Sequence, residues 1–102
     1  MKIKGNWKNR NVWVDGEYLD PLPSQGVFNH SPDGFCWSYG GSGPSQLALS
    51  ILLHYLPKEI AMRWYQDFKQ DVIAKLPPGD FQMEMDFDEW LEKQKIKKKL
   101  LE

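Results

Sequence analysis

The stretch PSQLALSILLHYL, from Pro44 to Leu56, constrains this chain more than any other. It is apolar on nearly every side at helical spacing, so it leaves no face for water and has to be surrounded. The rest of the chain must therefore supply covering layers. Pro44 suits the first turn of such a helix, where its missing N–H costs nothing, and Pro57 ends it. Ser42 or Gly43 is the expected cap, with Gln46 reaching back if Gly43 holds that place.

The flanking segments read as the covering layers. In KEIAMRWYQDFKQDVIAKL, Ile60, Trp64, Phe68, Val72 and Leu76 recur every four residues, which predicts a helix over 58–76 stopped by Pro77-Pro78-Gly79. In DFQMEMD, Phe81, Met83 and Met85 alternate with polar residues, which predicts a strand over 81–86. A shorter helix over 87–97 follows, with acids at its start and lysines at its end, as the helix dipole favours. NVWVDGEYL predicts a β-hairpin over 12–19. Asp15-Gly16 supplies the two positive-φ positions of a type I′ turn and sets Trp13 opposite Tyr18 and Val12 opposite Leu19. DPLPSQG reads as a connecting loop because of Pro21 and Pro23. VFNHSPDGFCWSY predicts a second hairpin over 27–39, turning at Ser31-Pro32-Asp33-Gly34. That register sets His30 across from Cys36 and Asn29 across from Trp37, and puts Phe35, Trp37 and Tyr39 on one face. The architecture expected is α+β: two hairpins and a further strand packed on three helices, forming one domain over residues 1–100. Leu101-Glu102 reads as a tag remnant.

Bulk properties narrow the function classes. A chain of 102 residues buries roughly 60–70% of its unfolded surface, enough for one modest core. A net charge of −1 speaks against nucleic acid as the partner. The single cysteine, Cys36, excludes an internal disulfide and suits a reducing cytoplasm. The first residues lack the apolar segment of a signal peptide, and the run from Leu47 to Leu56 is too short to span a bilayer.

The candidate site is the turn Gly40-Gly41-Ser42-Gly43 at the start of the apolar helix. Backbone N–H groups at a helix N-terminus favour an anion. However, no lysine follows the turn as in a phosphate-binding P-loop, and glycines also simply permit a close corner. His30, Trp37 and Tyr39 lie near this turn in sequence and complete the candidate ligand-binding set. Cys36 reads as a small half-buried thiol, and His54 as a structural group in the buried helix. Asp67 and Asp71 share a face expected to be solvated. Two histidines and one cysteine at these spacings do not make a zinc pattern, so no metal and no cofactor are expected.

At HSPDGFCWSYGGSGPSQLALSILL the chain resembles a small domain family of bacteria and their phages, one of the numbered families of unknown function. The family pattern runs H-S-P-x-G-F-E-W-G-Y-G-G-S-G-P-A-Q-L-A-L. His30, Ser31, Pro32, Gly34, Phe35, Trp37, Tyr39 to Pro44, Gln46, Leu47, Ala48 and Leu49 match it. Tyr65-Gln66-Asp67-Phe68-Lys69 is similar to its second signature. Val14-Asp15-Gly16 and Leu19-Asp20-Pro21 also fit, so the likeness runs over about residues 12–91. Cys36 stands where the pattern has glutamate, and Ser38 where it has glycine. The resemblance implies a fold boundary and no activity.

The chain carries more Trp and Tyr than a small core requires, and it has no complete catalytic set. The reading is therefore a non-catalytic binding module that engages a protein partner or small anionic ligand through an aromatic sheet face and the Gly-rich turn. The alternative is a small hydrolase or nucleotide-handling enzyme using Ser42 and His30, with developing negative charge stabilised at the helix N-terminus.

Overall fold

The structure is a computed structural model that describes the backbone of residues 1–101. The expected α+β fold is observed, with a different strand set. Strands β1 (Lys2–Gly5), β2 (Val12–Val14), β3 (Glu17–Tyr18) and β4 (Phe81–Glu84) form an antiparallel sheet in the order β3-β2-β1-β4. Strand β1 lies outside the expected elements, yet it is central: Ile3 pairs with Val14 on one side and Met83 on the other. Strand alternation turns Ile3, Gly5, Val12, Val14 and Phe81 into the core. At Gly5 an added Cβ would lie 2.3 Å from the Phe81 ring, so bare backbone is needed for that ring to lie across β1. The 12–19 hairpin forms as expected. Asp15 and Gly16 hold φ of 50° and 83°, Trp13 faces Tyr18, and the Leu19 N–H donates to the Val12 carbonyl.

Four helices complete the fold: α1 (Leu22–Val27), α2 (Ser42–Tyr55), α3 (Lys58–Asp71) and α4 (Phe87–Leu101). Helix α2 is the surrounded one, with every residue from Gly43 to Leu52 buried. Its cap position falls at Gly41 and carries no side-chain hydrogen bond. Helix α3 buries Ala61, Trp64, Tyr65 and Phe68 on the expected stripe, while Ile60 stays exposed. It stops at Asp71 instead of continuing to 76. A 3-10 turn at Ile73–Lys75 follows, and it seats Ile73 in the core, where its carbonyl accepts the Ser38 N–H. The β4 strand ends at Glu84 and α4 runs past 97; Glu102, half of the expected tag remnant, lies outside the described residues. Asp71 is a half-buried tie between helices, not a solvated charge, because its carboxylate accepts from the Trp90 indole and the Gln94 amide. Phe68, Phe87 and Trp90 pack together there, with Phe68 and Trp90 edge to face at 5.0 Å. Among the described residues no helix is long and apolar enough to cross a membrane.

The expected second hairpin over 27–39 does not form, and the expected loop at Pro21–Gly26 is largely helix α1. Both prolines sit where a first helical turn tolerates them, and the Asp20 side chain accepts the Leu22 N–H. The Ser31–Gly34 turn is present, with Gly34 at φ 104°, but no strands flank it. A ladder fails here because its donors are used elsewhere. The Gln46 side-chain oxygen accepts from the His30 N–H at 2.7 Å and the Ser31 N–H at 3.0 Å. Its nitrogen donates to Ser24 Oγ at 2.9 Å and the Phe28 carbonyl at 3.1 Å. Further along, Ser38 takes φ 82°, which breaks strand alternation: Phe35 and Trp37 stay buried and Tyr39 is thrown outward. His30 and Cys36 are consequently not cross-strand partners.

Gln46 is fully buried, so replacing it strands several polar groups at once. Gln46→Leu is expected to lower unfolding free energy by about 3 kcal/mol or more. It should also speed amide exchange at His30 and Ser31 more than in the middle of α2. Denaturant unfolding and hydrogen exchange check this; an unchanged midpoint would refute it.

Candidate functional site: a glycine corner and an open sheet face

The Gly40–Gly43 turn packs tightly. A Cβ on Gly43 would lie 2.6 Å from Cys36 Cβ and 3.0 Å from the Cys36 nitrogen, so α2 begins directly against that backbone. A Cβ on Gly41 would lie 2.3 Å from the Tyr39 ring, which covers it. Gly40 meets no such limit, and its carbonyl accepts from Lys69 Nζ at 3.3 Å. Ser42 is exposed and Tyr39 is 51% exposed. Trp37 lies on the other side of the surface. It is fully buried, donates its indole N–H to the Gly79 carbonyl, and meets Trp7 and Phe81 edge to face.

His30 is half-buried beneath Phe28, with ring centroids 4.2 Å apart, and its Nε2 lies 2.7 Å from the Tyr65 hydroxyl. Burial lowers its pKa below the ordinary 6.5, and the nearby Lys69 charge lowers it further. Among the described residues no hydrogen bond joins Ser42 to His30. Cys36 Sγ lies 3.8 Å from the Trp37 carbonyl and is also a hydrogen-bond partner of the Tyr39 phenol. His54 is exposed at the end of α2, edge-on to Tyr55, and not in the buried part of the helix. No group of three or more His, Cys, Asp or Glu among the described residues is placed to hold a metal.

Two features go beyond the sequence reading, which expects an aromatic sheet face and pairs Trp13 with Tyr18 but does not place that face in the open. The first is the outer face of the sheet, which no helix covers. Lys2, Lys4, Gln82 and Glu84 are exposed there, with Trp13 half-buried and Tyr18 55% exposed. Trp13 and Tyr18 meet edge to face at 6.2 Å, and Lys4 Nζ sits 5.9 Å above the Trp13 ring. A shallow hollow of about 310 Å³ lies beside them, bounded by Lys2, Lys4, Gly16 and Gln82. The second is the β1–β2 loop. Asn6 closes it through its backbone and caps the Lys8 and Asn9 N–H groups with its side chain. Arg10 takes φ 62° and lays its guanidinium 3.7 Å above Trp7. The turn-rich run NWKNRN hints at the loop, but the stack needs β1, which sequence periodicity over four residues does not reveal.

At the opposite end of the sheet a groove of about 600 Å³ is lined by Asp15, Tyr55, Glu84, Asp86 and Asp88. The Tyr55 hydroxyl donates to the Asp15 carboxylate. That bond, and then the Lys2 N–H, hold the Asp15 pKa down; burial and the same carboxylate push the Tyr55 phenol up.

Two measurements test the corner. His30 is expected to titrate below 6.5, and Lys69→Met to move it part of the way back, as read by NMR. Since the unfolded chain binds this proton more readily, stability should fall as pH drops from 6.5 toward the folded pKa, and His30→Gln should flatten that slope. Gly43→Ala is expected to cost about 1–3 kcal/mol in denaturant unfolding, since backbone must shift. Gly41→Ala should cost less, because the exposed Tyr39 ring can swing away. Equal losses would contradict this packing.

No curated protein and no solved structure matches the chain. The model of a family of unknown function, DUF6166, matches residues 4–93, from β1 into α4. The matched segment includes the glycine corner, the β1–β2 loop and most of the open face. The chain is therefore a member of the DUF6166 family.

Proposed function

We propose that this domain is a non-catalytic binding module whose open sheet face takes a protein partner. The observation that carries the reading is the uncovered face itself, on which Trp13 and Tyr18 stand between charged neighbours. A small domain would ordinarily cover a sheet face of this kind or make it wholly polar. Tyr and Trp are the residues enriched where proteins meet, and a rim of Lys, Gln and Glu matches the polar border of such contacts. Glu84 stands opposite Lys2 on this face, and the whole chain carries −1, which favours protein over nucleic acid. A single thiol suits the reducing cytoplasm as the place of action. An enzyme built on Ser42 and His30 has less support, because His30 Nε2 is engaged by Tyr65 and, among the described residues, no base is hydrogen-bonded to Ser42.

A photo-crosslinking residue placed at Tyr18, with the same residue at exposed Glu59 on α3 as control, tests the proposal. The expected result is one discrete protein adduct from position 18, absent from position 59. Trp13→Ala should weaken it about tenfold or more without changing the unfolding midpoint. No adduct at position 18, or the same adduct from both positions, would overturn the reading.

A further inference from the structure

The Arg10 guanidinium has five N–H donors and is charged at any physiological pH. Among the described residues none of these donors has a hydrogen-bond or ion-pair partner, and the contacts of the group are aromatic. It lies 3.7 Å above the Trp7 ring and 5.8 Å from the Trp37 ring. Trp37 is itself fixed in the core, and Trp7 meets it edge to face at 5.4 Å. The Arg10 backbone is fixed as well, by the Arg10 N–H bond to the Asn6 carbonyl at 2.8 Å. A guanidinium mounted this way presents its N–H edges in one orientation, so little conformational freedom remains to be lost when a planar oxyanion arrives. Asp80, at the same end of the sheet, is held by the Trp7 N–H at 2.7 Å and makes no ion pair with Arg10. The Arg10 charge also reaches the Tyr39 phenol, which burial and a hydrogen bond to Cys36 push up while Arg10 pulls the other way. The Tyr39 ring in turn lies on Gly41.

We propose that the Arg10 guanidinium, mounted on Trp7, is a binding site for a small oxyanion: the phosphate or carboxylate group of a low-molecular-weight ligand. The site is separate from the open sheet face, and either reading can fail alone. Arg10 supplies paired donors to two oxygens, and the Trp7 ring beneath it holds the guanidinium plane.

The test is an NMR titration of the intact chain with inorganic phosphate and, separately, acetate, at constant ionic strength set by chloride. The Arg10 Nε–H and Trp7 indole N–H signals are followed. Saturable shifts with a Kd of about 1 mM or tighter for either anion support the site. Saturation by phosphate alone identifies a phosphate ester as the ligand class, and saturation by acetate alone identifies a carboxylate. Arg10→Gln should weaken binding about tenfold or more, while Lys8→Gln, in the same loop, should leave it unchanged. Linear shifts that never saturate, or equal losses from both variants, would overturn the proposal. The wild-type signals decide the matter even if Arg10→Gln does not fold.

Discussion

One buried amide holds the middle of this molecule. Gln46 projects from α2, and its side chain meets the end of α1 and the start of the irregular segment that leads to the glycine corner. Burying an amide is costly unless both its oxygen and its nitrogen are paired. Here each end has two partners, so one side chain does locally what a strand ladder would otherwise do. The apolar helix needs a cover on this side, and beyond α1 the cover is stretched over it from Phe28 to Gly41 without regular hydrogen bonding of its own. The position of Tyr39, and therefore the shape of the corner, follows from where that segment is anchored.

The parts of the fold legible in the sequence are those set by local chemistry. Asp15-Gly16 has only one comfortable turn, and PSQLALSILLHYL has only one comfortable environment. The illegible parts were set by distant partners. Lys2–Gly5 carries a single large apolar residue, and it becomes a strand because β2 and β4 flank it on both edges. The 27–39 segment alternates like a hairpin, but Gln46 takes its donors and Ser38 reverses its course. The α3 stripe continues to Leu76 on paper, whereas Ile73 has more to gain in the core than on a straight helix.

The candidate site divides in the same way. The abundance of aromatic residues is visible in the sequence, but their assignment is not. Trp37, Trp7 and Phe81 build one packed group beneath the β1–β2 loop, and Phe68, Phe87 and Trp90 build another beneath α4. Only Trp13 and Tyr18 remain for the open face. Gly41 and Gly43 are accounted for by close approach of Tyr39 and Cys36, which is a packing role. Ser38 adds a related point. It holds φ 82°, a conformation that glycine adopts without strain, and the pattern the chain resembles has glycine there. The backbone shape of the corner thus explains that pattern position without reference to any ligand.

A net charge near zero conceals a polar arrangement. The strand register places Asp15 and Glu84 beside Lys2 at one end of the sheet, where Asp86 and Asp88 join them around the larger groove. At the other end the β1–β2 loop carries Lys8 and Arg10, and Asp80 is the acid there, bound to backbone. Trp13 lies between the two ends. A surface with opposite charge at its ends orients whatever approaches it, even when the total charge gives no long-range pull. On this sheet the aromatic pair would supply contact area and the two ends would fix direction. The neutral composition that argues against nucleic acid is therefore compatible with strongly directional recognition of a protein.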